Sequence, residues 1–353
     1  MDIKGDNIAE FKILTSIEPE LWNEFVRNHP KTSIHQTKYI ADVHDKTKNC
    51  KAVTLAVQDK NEDIVGVLIA INFSVSSGML KTISTHTTIR GGPIVDDSPE
   101  GLKVCKFLMK EYDRIKKGTL YTRVYPLKYN KSAKQALESE KFEHEGFLDF
   151  HINLNRAEDE IWSDIHKGRR KNINRSQKRF NLKAVELKKR EEIPTFYELL
   201  KETHQNAGVS LEDISLFYAA YDILVPNKFV RFIFAVKDNE PVGCRAVLTY
   251  NNEIYDWYAG AKREALNCYP NDFLVWHVLS WGRENGFQLF DFGGAGPANV
   301  EFPVRTFKER FGGQLINYGR YTKVHSPLKF KLATKGFETI QSLKKKKKKK
   351  KSD

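Results

Sequence analysis

The sequence carries one order of strands and helices twice, and this internal duplication constrains its fold more than any other feature. Strands are indicated by apolar runs or alternation between turn residues, and helices by apolar residues that recur every three or four positions. Asn271 and Asp272 are predicted to cap the long helix of the second half, and Gly286 to end it. The second half predicts three antiparallel strands, a helix, a strand, a short helix and a last strand, over residues 230–237, 244–250, 253–261, 273–285, 287–294, 304–311 and 314–324.

The first half repeats this order, and each half opens with a hairpin that begins at an aspartate and closes with Val-Gly. The order resembles that of the GNAT acyltransferase fold, present here twice. We therefore predict an α+β (mixed α/β) protein with two tandem GNAT-like domains, each a mixed, mostly antiparallel sheet flanked by helices. The elements of the first half are predicted over residues 52–58, 67–75, 79–93, 98–118, 119–127, 130–146 and 147–154. The predicted segments are a first domain over 1–150, a second domain over 151–325, a C-terminal helix over 326–343 and a disordered tail over 344–353.

Charge and composition exclude several classes of protein. The net charge is +13, of which the eight lysines of 344–351 and Asp353 contribute +7, so the remaining excess is moderate and suggests an anionic ligand. No apolar run of about 18 residues predicts a membrane span, and the acidic N-terminus is not typical of a signal peptide. We expect a cytoplasmic protein whose tail is either solvated or bound to RNA or to the anionic inner face of the membrane. The cysteines lack a C-x-x-C pair, so neither a zinc site nor a disulfide framework is expected at Cys50, Cys105, Cys244 or Cys268.

The stretch FDFGGAGP, residues 290–297, is a short apolar strand that runs into three glycines. Asp291-Phe-Gly matches the metal-binding triad of kinases, but the nucleotide loop, strand lysine and HRD-type loop of a kinase are missing from the sequence. No Gly-Lys-Ser/Thr closes the stretch, so it is not a P-loop. A flexible turn and a loop that a ligand approaches closely both remain open. Asp291 itself is either a general base or, as we favour, a cap for the glycine turn.

A basic segment precedes the second half. From Lys167 to Arg179 there are seven basic residues and no acidic residue. A continuous helix places every fourth residue on one face, which collects several of these charges. This face is either solvated or a track for the phosphates of a nucleotide or tRNA. On the second interpretation, the phosphate-binding residues are Lys167, Arg169, Arg170, Lys171 and Arg175.

Four stretches resemble the FemABX family of aminoacyltransferases, which add amino acids from charged tRNA to peptidoglycan precursors. They are SIHQTKYIADVH (33–44), IWSDIHKGRRKNINRSQKR (161–179), YDWYAGA (255–261) and FDFGGAG with FPVRTFKERFGG (290–296 and 302–313). The resemblance implies that Lys308 stabilises the donor ester or the oxyanion, and that Tyr258 orients the amine or relays a proton. It also implies substrate contacts from Phe307, Arg305, Gly293, Gly294, Gln36 and Lys38.

Two positions depart from the enzymes of peptidoglycan precursors. His44 stands where those enzymes tend to show a lysine, and Asn206 where they tend to show an arginine. Both family residues help to hold a nucleotide diphosphate, so these departures argue against the usual peptidoglycan precursor as the acceptor. We expect the acceptor to be a nucleotide-linked or lipid-linked precursor of the cell envelope.

The sequence lacks the loop that binds the diphosphate of CoA, and this indicates the kind of acyl donor. CoA-dependent GNAT enzymes carry Gln/Arg-x-x-Gly-x-Gly/Ala before a helix whose N-terminus binds the diphosphate. The second half has Arg263 there without the glycines, and the first half follows Arg90-Gly-Gly-Pro with Asp96 and Asp97. We therefore expect an aminoacyl-tRNA ester or another acyl donor, with no cofactor and no metal.

Three functions remain open from the sequence. The first is a FemABX-like aminoacyl- or acyltransferase that forms an amide bond on an envelope precursor. The second is an acyl-CoA-dependent N-acyltransferase of polysaccharide biosynthesis. The third is a non-catalytic double-GNAT module that binds a nucleotide-sugar or tRNA.

Overall fold

The computed structural model describes residues 10–74, 85–116 and 118–332, and these form two compact units. The first unit contains the described residues up to 41, those of 49–144 and those from 320 onward. The second unit contains residues 42–48 and 145–319. Each unit has its own mixed sheet and hydrophobic core with helices packed on it, as expected for the α+β class.

Strands and helices are numbered along the chain. The strands are β1 (Lys12–Leu14), β2 (Cys50–Gln58), β3 (Ile64–Ser74), β4 (Thr85–Arg90), β5 (Ile94–Val95), β6 (Tyr121–Tyr125), β7 (Glu143–Glu145), β8 (Phe147–Asn153), β9 (Lys183–Glu186), β10 (Val230–Lys237), β11 (Glu240–Tyr250), β12 (Glu253–Ala261), β13 (Leu289–Pro297), β14 (Gln314–Ile316) and β15 (Arg320–Val324). The α-helices are α1 (Pro19–Asn28), α2 (Lys38–Asp45), α3 (Pro99–Ile115), α4 (Lys131–Ser139), α5 (Glu158–Asp164), α6 (Lys167–Lys178), α7 (Ile193–Ala207), α8 (Ser215–Leu224), α9 (Pro270–Glu284) and α10 (Pro303–Glu309).

The two sheets have related orders. The first runs β1-β2-β3-β4-β6-β15-β7, with β5 added to β3, and the second runs β14-β8-β13-β12-β11-β10-β9. Each contains a parallel pair near its centre, β4 with β6 and β12 with β13. Parallel pairing requires a crossover connection, and α3 and α9 supply it.

Two strands belong to a different sheet from the one expected from the predicted domain boundaries. The strand β8, predicted to end the first domain, pairs with β13 in the second sheet. The single last strand predicted over 314–324 is two strands: β14 pairs with β8, whereas β15 pairs with β6 in the first sheet. Periodicity shows that a segment is a strand, but a strand's partner is set by contacts distant in sequence. Residues 327–332 are helical, and the rest of the predicted C-terminal helix and the tail of 344–353 lie outside the described residues.

The core of the first unit lies between its sheet and α3. Val104, Leu108 and Tyr112 recur every four residues and bury one face of α3 against the sheet. Ser98 begins this helix as predicted, because its Oγ accepts a hydrogen bond from the Gly101 N–H at 3.0 Å.

The second unit packs helices on both faces of its sheet. Leu274 and Val278 of α9 lie in the same buried cluster as Phe290 of β13. On another part of the sheet, the Phe196 ring of α7 meets Phe232 of β10 edge to face at 5.1 Å. The predicted cap of α9 is wrong, since the helix begins at Pro270 and Asp272 lies inside its first turn. Among the helices of the described residues, none is both long and apolar enough to cross a bilayer.

Candidate functional site

The parallel strands of the second unit part at the glycine loop. The strands β12 and β13 are paired over three positions, ending at Tyr255 opposite Asp291. Beyond this point β13 continues beside β8 with two irregularities, pairing Gly294 with Asp149 and Pro297 with Phe147. Where two strands separate inside a sheet, their backbone N–H and C=O groups no longer pair with each other. A ligand can therefore bind main-chain groups at this place in the second unit.

The glycines of the loop are required by backbone shape and by close packing within the protein. Gly293 has a φ of +69°, which disfavours any residue with a Cβ, and a Cβ there would lie 3.1 Å from the Tyr255 Oη. A Cβ on Gly294 would lie 2.7 Å from the Phe147 ring. On β12, a Cβ at Gly260 would lie 2.7 Å from the carbonyl oxygen of Leu199. The protein therefore fills the space on the Cβ side of these glycines, while Gly294 itself is exposed. Contact of their backbone with a ligand stays a prediction.

Lys308 caps the loop with its ammonium group. Its Nζ donates to the carbonyl oxygens of Phe292, Gly293 and Gly294 at 2.5, 2.9 and 3.0 Å. The side chain is only 9% exposed, so Lys308 is not a solvent-facing helix lysine. Because an ammonium has three N–H groups, all its donors are used in this arrangement. The lysine thus fixes the three carbonyls and brings a buried positive charge to the point where the strands part.

Aromatic side chains hold Lys308 in place. In α10, Lys308 lies between Phe307 and Phe311, whose rings are 5.2 Å apart. The Phe311 ring is fully buried and lies 5.7 Å from that of Phe292, the residue whose carbonyl Lys308 binds. Arg305, one turn earlier in α10, donates from its guanidinium to the carbonyl oxygens of Ala295 and Pro297. Arg305 therefore braces the loop, whereas Phe307 packs against Phe311. Their predicted contacts with substrate stay predictions.

The charges around Lys308 oppose the cost of its burial. Burial lowers the pKa of Lys308, and the negative charges of Asp256, Asp149 and Asp291 act in the opposite direction. Asp256 is itself held by Arg245, whose side chain is 2% exposed and donates to it at 2.5 Å. The ammonium is thus surrounded by carboxylates, although none of them forms an ion pair with it in the described residues.

Asp149, His151 and Asp291 form a cluster beside the loop. His151 faces Asp291 across the β8–β13 pair, with its Nε2 3.6 Å from an Asp291 carboxylate oxygen, and one ligand atom from each of the three residues lies within 4.8 Å of the others. Burial, then the charge of Asp291, raises the pKa of Asp149 well above its usual value, while Lys308 opposes this rise. Asp291 accepts from the Gly293 N–H at 2.7 Å, so its predicted role as a cap for the turn is confirmed. Two carboxylates and an imidazole are also ligands that can bind a divalent cation.

The sequence did not predict the cluster or the Arg245–Asp256 pair. The local signal for the cluster is Asp149-Phe-His151, an alternation that places both polar side chains on one face of a strand. Asp291 is distant in sequence, and only the pairing of β8 with β13 brings it opposite.

Tyr258 lies on β12 in a separate group of contacts. Its Oη donates to a carboxylate oxygen of Glu212 at 2.6 Å. Its ring packs at 5.0 Å from each of the Phe217 and Trp257 rings. Tyr258 and Lys308 are therefore not hydrogen-bonded to each other, since every donor of Lys308 goes to the glycine loop.

The basic segment forms α6, as predicted, but its arginines differ in their surroundings. Arg169 donates to both carboxylate oxygens of Asp272 at 3.0 and 3.2 Å, and its guanidinium lies 4.4 Å from the Phe307 ring centroid. Lys167 and Lys171 are exposed, whereas Arg170 and Arg175 are half-buried. Of the predicted phosphate-binding residues, Arg169 thus has a structural partner, and the two lysines remain accessible to solvent.

The N-terminus of α9 is where a CoA-dependent member would bind diphosphate. Here Asp272 occupies its first turn, so a carboxylate of the protein already compensates the positive end of the helix. The preceding residues form a 3₁₀ helix, Arg263–Cys268, in place of a glycine loop. The Arg263 N–H donates to Glu202 at 2.8 Å. These features agree with the sequence argument against a diphosphate at this position.

Gln36 and Lys38 belong to the first unit. The Gln36 amide donates to the carbonyls of Gly91 and Gly92 at 2.8 and 3.0 Å, and its Oε1 accepts from the backbone and hydroxyl of Ser33. These bonds use both N–H groups and the oxygen of the buried amide, so Gln36 has a structural role in the first unit. Its contact with substrate stays a prediction. The Lys38 Nζ donates to the Thr54 hydroxyl at 3.0 Å.

Comparisons with known proteins agree with this fold. Residues 167–303, within the second unit, match the family model of the acetyltransferase (GNAT) domain. A crystal structure of FemX is similar over 91% of this chain and 99% of its own, with 17% identity and a TM-score of 0.69. The structure of L-PGS from Bacillus licheniformis covers 88% of this chain and 92% of its own, with 14% identity and a TM-score of 0.53.

A tandem GNAT protein from the clavulanic acid biosynthesis pathway is similar over 90% of this chain and 99% of its own, with 13% identity and a TM-score of 0.52. No curated protein sequence matches the chain. The structural likenesses confirm the predicted tandem GNAT fold, and the family-model match places the similarity to acetyltransferase (GNAT) domains in the second unit.

Proposed function

We propose that the chain is an aminoacyltransferase of the FemABX type, which forms an amide bond on a precursor of peptidoglycan or of a related envelope polymer. The observation that carries the proposal is the buried ammonium of Lys308 at the loop where β12 and β13 part. Transfer from an ester to an amine places negative charge on the carbonyl oxygen, and a fixed cation nearby stabilises that charge. The stabilisation is larger in a desolvated site than in water.

The free protein uses all three donors of Lys308, so the oxyanion has to replace one carbonyl. The bond to Gly294 is the longest of the three, at 3.0 Å, and the only one in partly buried surroundings. We propose that the oxyanion takes this position while Phe292 and Gly293 keep the ammonium in place. Tyr258, with Glu212 as its acceptor, orients the amine of the envelope precursor.

The proposed donor is an aminoacyl-tRNA. The carboxylate of Asp272 in the first turn of α9 disfavours the diphosphate of CoA. The exposed Lys167 and Lys171 on α6 offer contacts to the phosphates of a nucleic acid. The structure named FemX, similar over nearly its whole length, supports the FemABX assignment at the level of the fold.

A second candidate is an acyl-CoA-dependent N-acyltransferase. It is favoured by the match of residues 167–303 to the acetyltransferase model. It requires that CoA binds without a glycine loop before α9, where the 3₁₀ helix Arg263–Cys268 lies.

The test is a transfer assay with the full chain. Labelled aminoacyl-tRNA or labelled acetyl-CoA is supplied with a nucleotide-linked or lipid-linked peptidoglycan precursor, and the product is identified by mass spectrometry. We expect an amide-linked amino acid from the tRNA donor, formed about 100- to 1,000-fold more slowly by Lys308→Ala. A product from acetyl-CoA alone would establish the second candidate. Binding of donor and acceptor without any product would instead identify a non-catalytic module.

A further inference from the structure

We propose that Asp256 binds the free α-ammonium group of the donor's amino acid, and that the site thereby selects aminoacyl esters over esters that lack an α-amino group. The inference rests on the proposed function and adds to it a residue that determines donor specificity. It concerns the amine subsite, meaning the carboxylate of Asp256 and the guanidinium of Arg245 that holds it.

Asp256 lies where the two parallel strands part. Tyr255 of β12, opposite Asp291 of β13, is the last paired position, and Asp256 is the next residue of β12. A Cβ on Gly293 would lie 3.3 Å from the Asp256 carbonyl oxygen, so Asp256 borders the loop that Lys308 binds. A donor that enters between the strands therefore meets Asp256 on one side and the loop on the other.

A β-bulge in β12 separates the Asp256 side chain from that of Tyr258. Neighbouring residues of β11 pair with Asp256 and Tyr258, which leaves Trp257 as an extra residue in β12. Asp256 bonds to Arg245 of β11. Tyr258 pairs with Ala246, the next residue of β11, and therefore lies on the opposite face of the sheet. Bulges redirect side chains in this way and are common beside active sites.

The Arg245 guanidinium fixes the Asp256 carboxylate and leaves one of its oxygens open. The Arg245 side chain is 2% exposed, and its Nη1 donates to one carboxylate oxygen of Asp256 at 2.5 Å. Among the described residues, the second carboxylate oxygen accepts no hydrogen bond. A buried ion pair adds little net stability, because desolvation offsets the attraction between its charges. The pair therefore serves to hold an acceptor oxygen at the gap between the strands.

The two other carboxylates near Lys308 have a different position. Asp149 and Asp291 each accept a backbone N–H at 2.7 Å. Both lie in the β8–β13 pair, on the same side of the gap as the glycine loop. Of the three carboxylates, Asp256 is the one on β12, so it faces the loop from across the gap.

An aminoacyl ester has the chemistry that fits the amine subsite. Its α-amino nitrogen is two bonds from the carbonyl carbon and is mostly protonated at neutral pH. With the carbonyl oxygen on Lys308, an ammonium without a partner in the same desolvated gap would be costly. The open oxygen of Asp256 accepts a charge-assisted hydrogen bond from this ammonium. An acyl group without the amine leaves the oxygen without a donor, so it binds less tightly.

The first test measures binding and does not depend on transfer. Two compounds are titrated into the full chain by calorimetry: an adenosine that carries alanine through an amide at its 3′ position, and the same adenosine with propionate in place of alanine. We expect the alanyl compound to bind about 10- to 100-fold more tightly, as for a hydrogen bond to a charged group. Equal affinities, or no binding of either compound, would overturn the inference.

Matched variants locate this difference at Asp256. Asp256→Asn keeps the shape of the side chain and removes its charge, so the two compounds should then differ by less than about threefold in affinity. Asp222→Asn, which removes an exposed carboxylate bonded to Arg190, should keep the full difference. A full difference that survives Asp256→Asn would overturn the inference. If this variant does not fold, the comparison of the two compounds on the wild-type protein decides.

The second test separates the inference from the proposed function. Transfer from alanyl-tRNA is compared with transfer from lactyl-tRNA, in which a hydroxyl replaces the α-amine. We expect kcat/KM to be about 10- to 100-fold higher for alanyl-tRNA, and this preference to be lost in Asp256→Asn. Tighter binding of the alanyl compound without transfer from either tRNA would defeat the proposed function alone. Equal transfer from both tRNAs would defeat the inference alone.

Discussion

In each unit, one side chain donates hydrogen bonds to the carbonyl oxygens of a glycine-containing loop. The donor is an amide in the first unit and an ammonium in the second. Gln36 binds the carbonyls of Gly91 and Gly92, and Lys308 binds those of three successive residues in the 292–294 loop. The parallel strands differ in the same way. The pair β4–β6 stays joined through Arg90 opposite Tyr125, and the Gly91 N–H extends it with a bond to the Tyr125 carbonyl at 2.8 Å.

The difference between the amide and the ammonium indicates which unit carries the chemistry. A buried amide with all its hydrogen bonds made is inexpensive, whereas a buried ammonium loses its hydration and needs nearby carboxylates. The second unit supplies them from Asp256, Asp149 and Asp291. A loop needs no charge to be held closed, as the first unit demonstrates. The costly lysine therefore points to a reaction in the second unit that uses its charge.

The largest expected effect tests this assignment. Lys308→Ala should lower kcat about 100- to 1,000-fold, as the loss of one oxyanion donor does in other enzymes. Gln36→Ala should change kcat by less than about threefold at temperatures where it stays folded, because Gln36 lies in the unit without the ammonium. The measurement is kcat for both variants under the same conditions. Equal losses in the two variants would remove the functional difference between the units.

A large effect on stability is expected at the pair that joins α6 to α9 in the second unit. Arg169→Ala should lower the free energy of unfolding by about 3 kcal/mol, because it leaves the buried carboxylate of Asp272 without its charged partner. Arg170→Ala, which removes one bond to the Ser163 carbonyl, should cost less than about 1 kcal/mol. Chemical denaturation of the two variants measures both values. If Arg169→Ala were no more destabilising than Arg170→Ala, the structural role of Arg169 would be wrong.

The stability of the first unit should depend on Gln36. Gln36→Ala should lower the free energy of unfolding by about 2 kcal/mol, because the partly buried carbonyl of Gly91 and the buried carbonyl of Gly92 lose this donor. Gln58→Ala is the matched control, since Gln58 makes one exposed bond to the Glu62 carbonyl and should cost less than about 0.5 kcal/mol. Denaturation curves compare the two, and similar costs would show that the Gln36 contacts contribute little.

The smallest expected effects are pH dependences of opposite sign in the two units. Asp149 has a raised pKa, so its contribution to stability is present below about pH 4, the ordinary value for aspartate, and is lost as pH rises through its folded pKa. For Asp113 of the first unit, burial raises the pKa, but hydrogen bonds from Lys323 and Lys116 outweigh this and lower it. Asp113 therefore contributes to stability at pH values above the ordinary pKa of aspartate. This contribution is lost as the pH falls through the pKa of Asp113 in the folded protein.

Unfolding free energies measured across this pH range check the signs. Asp149→Asn should remove the decline above about pH 4, and Asp113→Asn should remove a decline below it. The same slope from both substitutions would contradict the difference in their surroundings.

The sequence predicted local structure well and long-range partners poorly. The strands β10 and β12 lie at the predicted residues, because their apolar patterns and turns are local signals. The sheets that β8 and β15 join were not predictable, since pairing depends on register with distant strands. Asp272 was read as a cap although its carboxylate binds Arg169 from another helix.

The candidate site shows the same division. The resemblance of the segments 290–296 and 302–313 to a known family singled out Lys308, and the lysine is buried in the structure. Its hydrogen bonds to the loop and the meeting of Asp149 with Asp291 depend on how α10 and β8 pack against β13. Gln36 was predicted to bind substrate because a family resemblance specifies a residue type, while its bonding inside the first unit depends on the loop of Gly91 and Gly92.

The most direct measurement of the central claim is a crystal structure of the full chain with an adenosine that carries an amino acid through a non-hydrolysable amide. We predict that the aminoacyl carbonyl oxygen lies about 2.7–3.1 Å from the Lys308 Nζ, in the position that the Gly294 carbonyl occupies in the free protein. An analogue bound beside Gly91 and Gly92, or one bound in the second unit with all three loop carbonyls still on Lys308, would contradict it.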